Sequence, residues 1–471
     1  MKLFNHQQKA LILGREGNLA LFHQCGCGKT CTALNIIKHW KAKGVVPALV
    51  VCPLSIIEAA WLEDCQKFTP ELSIINLWSK KPAERKERLA EQADIYVANY
   101  ETFKNLYQSI KLKGFGVLIV DESSKMKNPT SQITRALLSL AGLPMRKKGS
   151  IKYQADDNII PHRYVLSGTP APNDESEYWA QLKFITGSGN KCFNDNYYAF
   201  RGRYFYSISI GLTGQKIFRF RKSMQQELQD TMQPFVHVVK KTDALDLPEQ
   251  THQIRKIQLT GKERRTYETM KTEKILQFQD EVVLSRTALT EIMKLRQLTS
   301  GFAYTDTGFI QTGKSKLNEL KNLLEEIGEQ TIIWANFKYE IRQLRKELPD
   351  SSVLWSENVE RDKIIKDFQS GTKKYLIANP QSAGHGLTFI NCRYAVYYSL
   401  NYSYEMQKQS QERIHRIGQK RSCTYYYLIA ENTIDEIIYK TIQKKENLSS
   451  TILDYLKGVG ARGKKPETVR I

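Results

Sequence analysis

Three short stretches carry residue types that can act on a phosphate. In "GCGKT", residues 26–30, Gly26, Cys27 and Gly28 precede Lys29 and Thr30, between the apolar "LALF" and the helical "CTALNIIKHW". A strand, a glycine-bearing turn and a helix start aim backbone N–H groups at phosphates, with Lys29 near the β and γ phosphates and the Thr30 hydroxyl on magnesium. Five residues before Gly28 stands His23, where such a loop ordinarily has its first glycine, so the loop needs support from elsewhere. "GVLIVDESSKMKN" supplies it: an apolar run ends in Asp121 and Glu122. One carboxylate would enter the metal shell, and the other would orient or deprotonate an attacking water. In "QSQERIHRIGQ" (409–419), Arg413 and Arg416 lie three apart, which on a helix gives them a common face. Arginines so placed can stabilise the charge of phosphoryl transfer, although a solvated basic helix has the same spacing. Ser167 and Thr169 in "SGTPAPN" are small hydroxyls that suit either γ-phosphate sensing or an ordinary turn.

Elements must bring these residues together. "PALVVCP", "DIYVANY", "GVLIVDE" and "RYVLSGTP" in the first half, and "TIIWANF", "KYLIANP" and "CRYAVYYSL" in the second, are short continuous apolar runs separated by helical stretches. Runs of this kind form strands buried on both faces, so two α/β units with parallel sheets are expected. The first spans 1–240, with inserted segments near 146–160 and 200–222. The charged, proline-bearing stretch at 241–250 reads as a linker, 251–450 as the second unit and 451–471 as a basic tail. The 200–222 segment alternates in hairpin fashion around "GLTG" and holds six basic residues and no acidic one. That pattern fits a half-buried hairpin with a solvated face, or a surface that tracks a phosphate backbone.

Seventy Lys plus Arg against 49 Asp plus Glu leave a formal charge of +21, a field that attracts polyanions, nucleic acid above all. The eight cysteines show no zinc-type spacing and read as reduced thiols, Cys25 and Cys27 as small packing residues. No segment approaches the ~20 apolar residues of a membrane span, so a soluble cytoplasmic protein is expected.

The order of these motifs resembles the Swi/Snf-type family of helicase superfamily two, in a compact form like those of bacteria and bacteriophages. The resemblance is carried by "CGCGKT", "VVCPLSIIEAAW", "VANYETF", "DESSKMKNPTSQITRAL", "SGTPAPNDESEYWAQLKFI", "LRQLTSG", "SAGHGLTF" and "QSQERIHRIGQ", and covers roughly residues 3–440. The family often lacks the loop's first glycine, which removes the His23 objection. Departures are Tyr402-Ser403-Tyr404 where many relatives have Trp-Asn-Pro, "DESS" for the DEAH-like box, and Thr388 for a common Asn. The resemblance implies two recombinase-like P-loop domains with an ATP cleft between them, using ATP and Mg2+ to move along double-stranded DNA. It implies that Gln7 reads adenine and that Gly386 approaches the nucleotide. Ser55, Lys125, Lys127, Asn128 and Ser382 would contact DNA phosphates, and Arg413 and Arg416 would complete the site from the second lobe. A strand-separating DNA or RNA helicase and a non-hydrolysing ATP-gated clamp are the alternatives.

Overall fold

The computed structural model describes residues 3–24, 26–143, 159–172, 174–187, 193, 196–210, 215–241, 247–280, 284–305, 308–358, 360–381 and 387–444. The chain divides into two compact units, Met1–Asp246 and Leu247–Ile471.

Unit 1 is built on β1 (Leu19–His23), β2 (Ala48–Cys52), β3 (Ile74–Asn76), β4 (Ile95–Asn99), β5 (Val117–Asp121), β6 (His162–Leu166) and β9 (Val236–Val239). They form one sheet in the order β3-β4-β2-β5-β6-β1-β9, and every pairing is parallel. The run that forms β2 is apolar throughout because both faces are covered. Leu49 and Val51 join one core cluster, while Ala48, Val50 and Cys52 join the other. In a wholly parallel sheet all C-terminal strand ends share one edge. The segments after β1, β2, β5 and β6, which carry the candidate residues, therefore emerge together. β6 lies between β1 and β5, so the loop after β1 and the acids ending β5 are two strands apart.

Between β6 and β9, unit 1 adds the helices Tyr178–Thr186 and Tyr197–Tyr204 and an antiparallel hairpin, β7 (Phe205–Ile210) and β8 (Gln215–Phe220). The hairpin expected over 200–222 is thus two strands preceded by a helical turn; its "GLTG" tip, most of 146–160 and the 451–471 tail lie outside the described residues.

Unit 2 contains β10 (Gln250–Ile257), β11 (Phe302–Thr305), β12 (Gly308–Gln311), β13 (Thr331–Trp334), β14 (Ser351–Leu354), β15 (Tyr375–Ala378), β16 (Tyr394–Tyr397) and β17 (Cys423–Ala430). Six of these form a second parallel sheet, β10-β17-β16-β13-β15-β14. Ile332 and Trp334 face one cluster and Ile333 the other, the same two-sided burial as in unit 1. The chain is thus α/β with two parallel-sheet domains. Among the described residues no helix is long and apolar enough to cross a membrane.

Candidate active site

β1 ends at His23, and a 14-residue helix, Lys29–Ala42, begins immediately after Gly28. Gly28 has φ +72°, the left-handed region that glycine enters without a Cβ clash, and Gly26 has φ +86°. A side chain at Gly28 would also meet a wall: a Cβ there would lie 2.2 Å from Gln7 Nε2. Gln7 is buried; its Nε2 donates to the Gly28 carbonyl (3.3 Å) and its Oε1 accepts from the Phe4 amide (2.9 Å). His6 Nε2 lies 2.9 Å from the Cys27 carbonyl. The helix Asn5–Glu16 thus presses two side chains onto the loop, and the buried Cys27 points inward. The loop leads into the first turn of a helix whose leading N–H groups have no intrahelical acceptors, the arrangement that receives phosphate.

Lys29 Nζ donates to the His23 carbonyl at 3.0 Å. Its charge also reaches Asp121, which is buried at the end of β5. Burial first, and then the neighbouring Glu122, push the Asp121 carboxyl up to about 6, against the opposing pull of Lys29. Asp121 is held by Trp61 Nε1, which donates to Oδ2 (3.0 Å), and by the Glu122 amide, which donates to Oδ1 (2.8 Å). Glu122 occupies the left-handed region at φ +51°, unusual for a residue with a Cβ. Tyr100 Oη donates to the carbonyls of Asp121 (2.7 Å) and Glu122 (3.2 Å), which fixes that backbone.

Two buried carboxylates that repel each other gain from a further cation. A carboxylate and a hydroxyl are the oxygen donors that suit magnesium, which completes its shell with phosphates and water. The described residues gather no group of three or more His, Cys, Asp or Glu of the kind a zinc site needs.

Ser167 follows β6 and is buried; its Oγ accepts from the Thr169 amide at 3.2 Å. Gln181 joins this segment to the acids: it accepts from Ser123 Oγ (2.6 Å) and donates to the Pro170 carbonyl (2.6 Å). Ser55, Lys125 and Asn128 are exposed on the loops after β2 and β5. Lys127 pairs with Glu177 (3.4 Å), and Asn128 Oδ1 accepts from the Thr130 amide (2.9 Å). Ser382 and Gly386 lie outside the described residues.

Arg413 and Arg416 do not share a helical face. The helix Tyr404–Gln411 stops before them, and turns follow. Tertiary anchors unwind the segment: Ile414 is wholly buried, His415 Nε2 lies 2.7 Å from the Pro248 carbonyl, and Gln419 Nε2 donates to the Cys392 carbonyl (2.9 Å). The two guanidiniums nevertheless converge. Both Nη1 atoms donate to the Leu387 carbonyl, at 3.3 Å from Arg413 and 3.4 Å from Arg416, and Arg416 also donates to Thr388 Oγ1 (2.9 Å).

Sequence reading missed the residues that hold the site: Trp61, Tyr100, Gln181 and a histidine pair. His23 Nε2 lies 2.8 Å from His237 Nδ1 on β9. β9 is further tied to the loop by the Gln24 amide, which donates to the Val239 carbonyl, and the Lys241 amide, which donates to Gln24 Oε1 (both 2.9 Å). The one available signal was a polar residue inside an apolar run, Gln181 in "YWAQLKFI" and His237 in "PFVHVV".

Burial and the charges of His237, Lys29 and His6 push the His23 imidazole down to about 2. Its folded value therefore lies below the unfolded value of about 6.5, and below that pH the unfolded chain takes up a proton that the native one refuses. Stability is full above about 6.5 and falls with pH by about 1.4 kcal/mol per unit from this group. In His23→Gln the loss of stability between pH 7 and pH 5 is expected to be smaller by about 2 kcal/mol, measured by urea unfolding at each pH.

Fold and loop together define a class, the ATPases built on parallel α/β sheets. An SNF2-related domain model matches residues 11–301 and a helicase conserved C-terminal domain model matches 315–418; the chain belongs to the SNF2-related family and carries a helicase-like ATPase core. Protein p41 of Acyrthosiphon pisum secondary endosymbiont phage 1 is 25% identical over 456 residues, 92% of this chain and 93% of the phage protein. An uncharacterized ATP-dependent helicase of Mycoplasma pneumoniae is 25% identical over 476 residues, 96% of this chain and 42% of that protein. The chain spans less than half the length of this and other bacterial and animal relatives. The Sulfolobus solfataricus SWI2/SNF2 ATPase core in complex with dsDNA aligns over 97% of this chain and 94% of that one, with a TM-score of 0.44 and 21% identity.

Proposed function

We propose that this chain is a DNA-stimulated ATP hydrolase that moves along double-stranded DNA in the cytoplasm. The observation that carries the reading is the meeting of Lys29 with the buried pair Asp121–Glu122 beside a left-handed glycine loop.

In this reading the backbone of Gly26, Cys27 and Gly28 and the Lys29 ammonium bind the phosphates of ATP. Gln7 faces the base, and Gly386 lets the chain approach the nucleotide. Thr30 and Asp121 would hold Mg2+, which when bound spreads the negative charge of phosphoryl transfer. Glu122, fixed by Tyr100, accepts a proton from the attacking water. Arg413 and Arg416 stabilise the charge that develops on the γ phosphate, which makes turnover depend on both units. Ser167 and Thr169 respond to the γ phosphate, and Gln181 links their turn to the acidic loop. Ser55, Lys125, Lys127, Asn128 and Ser382 contact phosphates, so sequence preference is slight. The net charge of +21 supports a polyanionic track.

Phosphate release, measured with and without duplex DNA, is expected to rise in its presence. Displacement of a third strand from a triplex, without opening of a forked duplex, is expected alongside. Absence of phosphate release would leave only an ATP-gated clamp, and efficient fork opening would replace translocation by strand separation.

A further inference from the structure

We infer that the exposed cations on and just after the β7–β8 hairpin form a second contact for the phosphate backbone of duplex DNA, apart from the motif residues above; the inference rests on the DNA reading. Between Tyr197 and Gln226 the sequence holds Arg201, Arg203, Lys216, Arg219, Arg221 and Lys222 and no carboxylate. The register sorts the faces. Phe205 opposes Phe220 and Ser207 opposes Phe218, and these phenylalanines pack onto the core of unit 1 with Phe200 and Tyr204. On the other face Tyr206 opposes Arg219 and Ile208 opposes Ile217, with Tyr206 45% and Ile208 42% exposed; Lys216, opposite Ser209, alternates onto the phenylalanine side yet is itself exposed, and Lys222 follows β8 in an exposed helical turn.

A hairpin face that is merely solvated gains from opposite charges across its strands. Here Arg203 has Glu227 at 2.7 Å, whereas Lys216, Arg219 and Lys222 are exposed and make no ion pair among the described residues. An anionic partner would compensate the positive charge that these exposed side chains carry.

The face is rooted close to the candidate DNA loop. Tyr197 packs on Trp179 (5.5 Å), two residues from Glu177, which pairs with Lys127. Duplex fits better than single strand because stacking platforms are scarce. Off the strands, Tyr198 is 64% exposed beside the Arg201 guanidinium, 5.3 Å from its ring centre, whereas on the hairpin strands Tyr206 is the exposed tyrosine among the described residues.

The test is the affinity of the full chain for a short blunt DNA duplex over a range of salt concentrations. The triple variant Lys216→Gln/Arg219→Gln/Lys222→Gln is compared with a charge-matched control, Lys43→Gln/Lys80→Gln/Lys86→Gln, at exposed lysines on other elements. Every phosphate that a cation no longer neutralises lowers the slope of log affinity against log salt by about 0.9, so the hairpin variant is expected to fall by between about 2 and 3 in slope and about tenfold or more in affinity at low salt. The control is expected to keep the wild-type slope, as is Arg219→Lys, which preserves charge if folding of the triple variant suffers. Equal slopes in the two triple variants would overturn the surface, and so would a larger fall in affinity toward single-stranded RNA than toward duplex. A wild-type chain that binds no duplex would bring down the motor reading together with this surface.

Discussion

In Lys29→Ala, ATP hydrolysis at saturating ATP and duplex DNA is expected to fall by about three orders of magnitude or more. Two effects combine. The ammonium that would neutralise charge on the transferring phosphate is gone, and so is the cation that offsets the repulsion between Asp121 and Glu122. Asp121 is already pushed upward by burial and by its neighbour; without Lys29 it moves further up, and a larger share of it is protonated when a metal ion would need the carboxylate. Raising the pH should therefore recover part of the metal affinity of Lys29→Ala and little of its turnover. The Lys29 side chain also spans from the helix start to the His23 carbonyl, so the loop loses one of its ties. That tie is a single charge-assisted hydrogen bond, and its loss costs about 1.5–3 kcal/mol, less than the catalytic effect. Phosphate release in single-turnover format, beside titration of a fluorescent nucleotide, separates the two. DNA-stimulated turnover within tenfold of wild type would remove Lys29 from the mechanism.

What could be read from the sequence was what is local. The strands of both sheets that carry candidate residues announce themselves as apolar runs because each is covered on both faces, and a glycine-lysine-threonine turn or two acids closing a strand need no tertiary knowledge. What holds those residues depends on strand order. His237 meets His23 only because β9 pairs with β1, 214 residues apart in sequence, and Trp61 reaches Asp121 across 60 residues. The exposed strand β10, "QTHQIRKI", has no apolar run to betray it; it forms because β17 offers an edge along its whole length. The expectation that Arg413 and Arg416 ride one helix failed for a related reason. Helical spacing describes the segment, but the burial of Ile414 and the bonds made by His415 and Gln419 decide its backbone. The hairpin lies in between: its alternation was legible, while the side that faces the core had to come from the register.

Arg416→Ala is expected to lower the rate of ATP hydrolysis by about a thousandfold while changing nucleotide affinity by only a few fold, because the charge it would meet develops only as the phosphoryl group moves. Arg413→Ala should behave differently, for reasons visible in unit 2. Arg413 is 8% exposed, and its backbone carbonyl accepts from the Phe389 amide at 2.8 Å, so it forms part of the wall that supports the Leu387–Phe389 segment. Truncating it removes a buried guanidinium from the packing around Ile414, together with its bond to the Leu387 carbonyl, and should destabilise unit 2 by about 1–3 kcal/mol in addition to any catalytic loss. Arg416 is more exposed, and its bonds to Thr388 Oγ1 and the Leu387 carbonyl can be exchanged for a phosphate without leaving a buried group behind. Arg416→Lys keeps the charge and loses the planar fork, so it should restore little of the rate. Thermal unfolding of both alanine variants, set beside single-turnover phosphate release, tests the distinction. A shifted melting transition in Arg413→Ala and an unshifted one in Arg416→Ala are expected, with turnover low in both. Retained DNA-stimulated turnover in Arg416→Ala would exclude it from the chemistry, and equal destabilisation of the two variants would make both arginines part of the supporting wall.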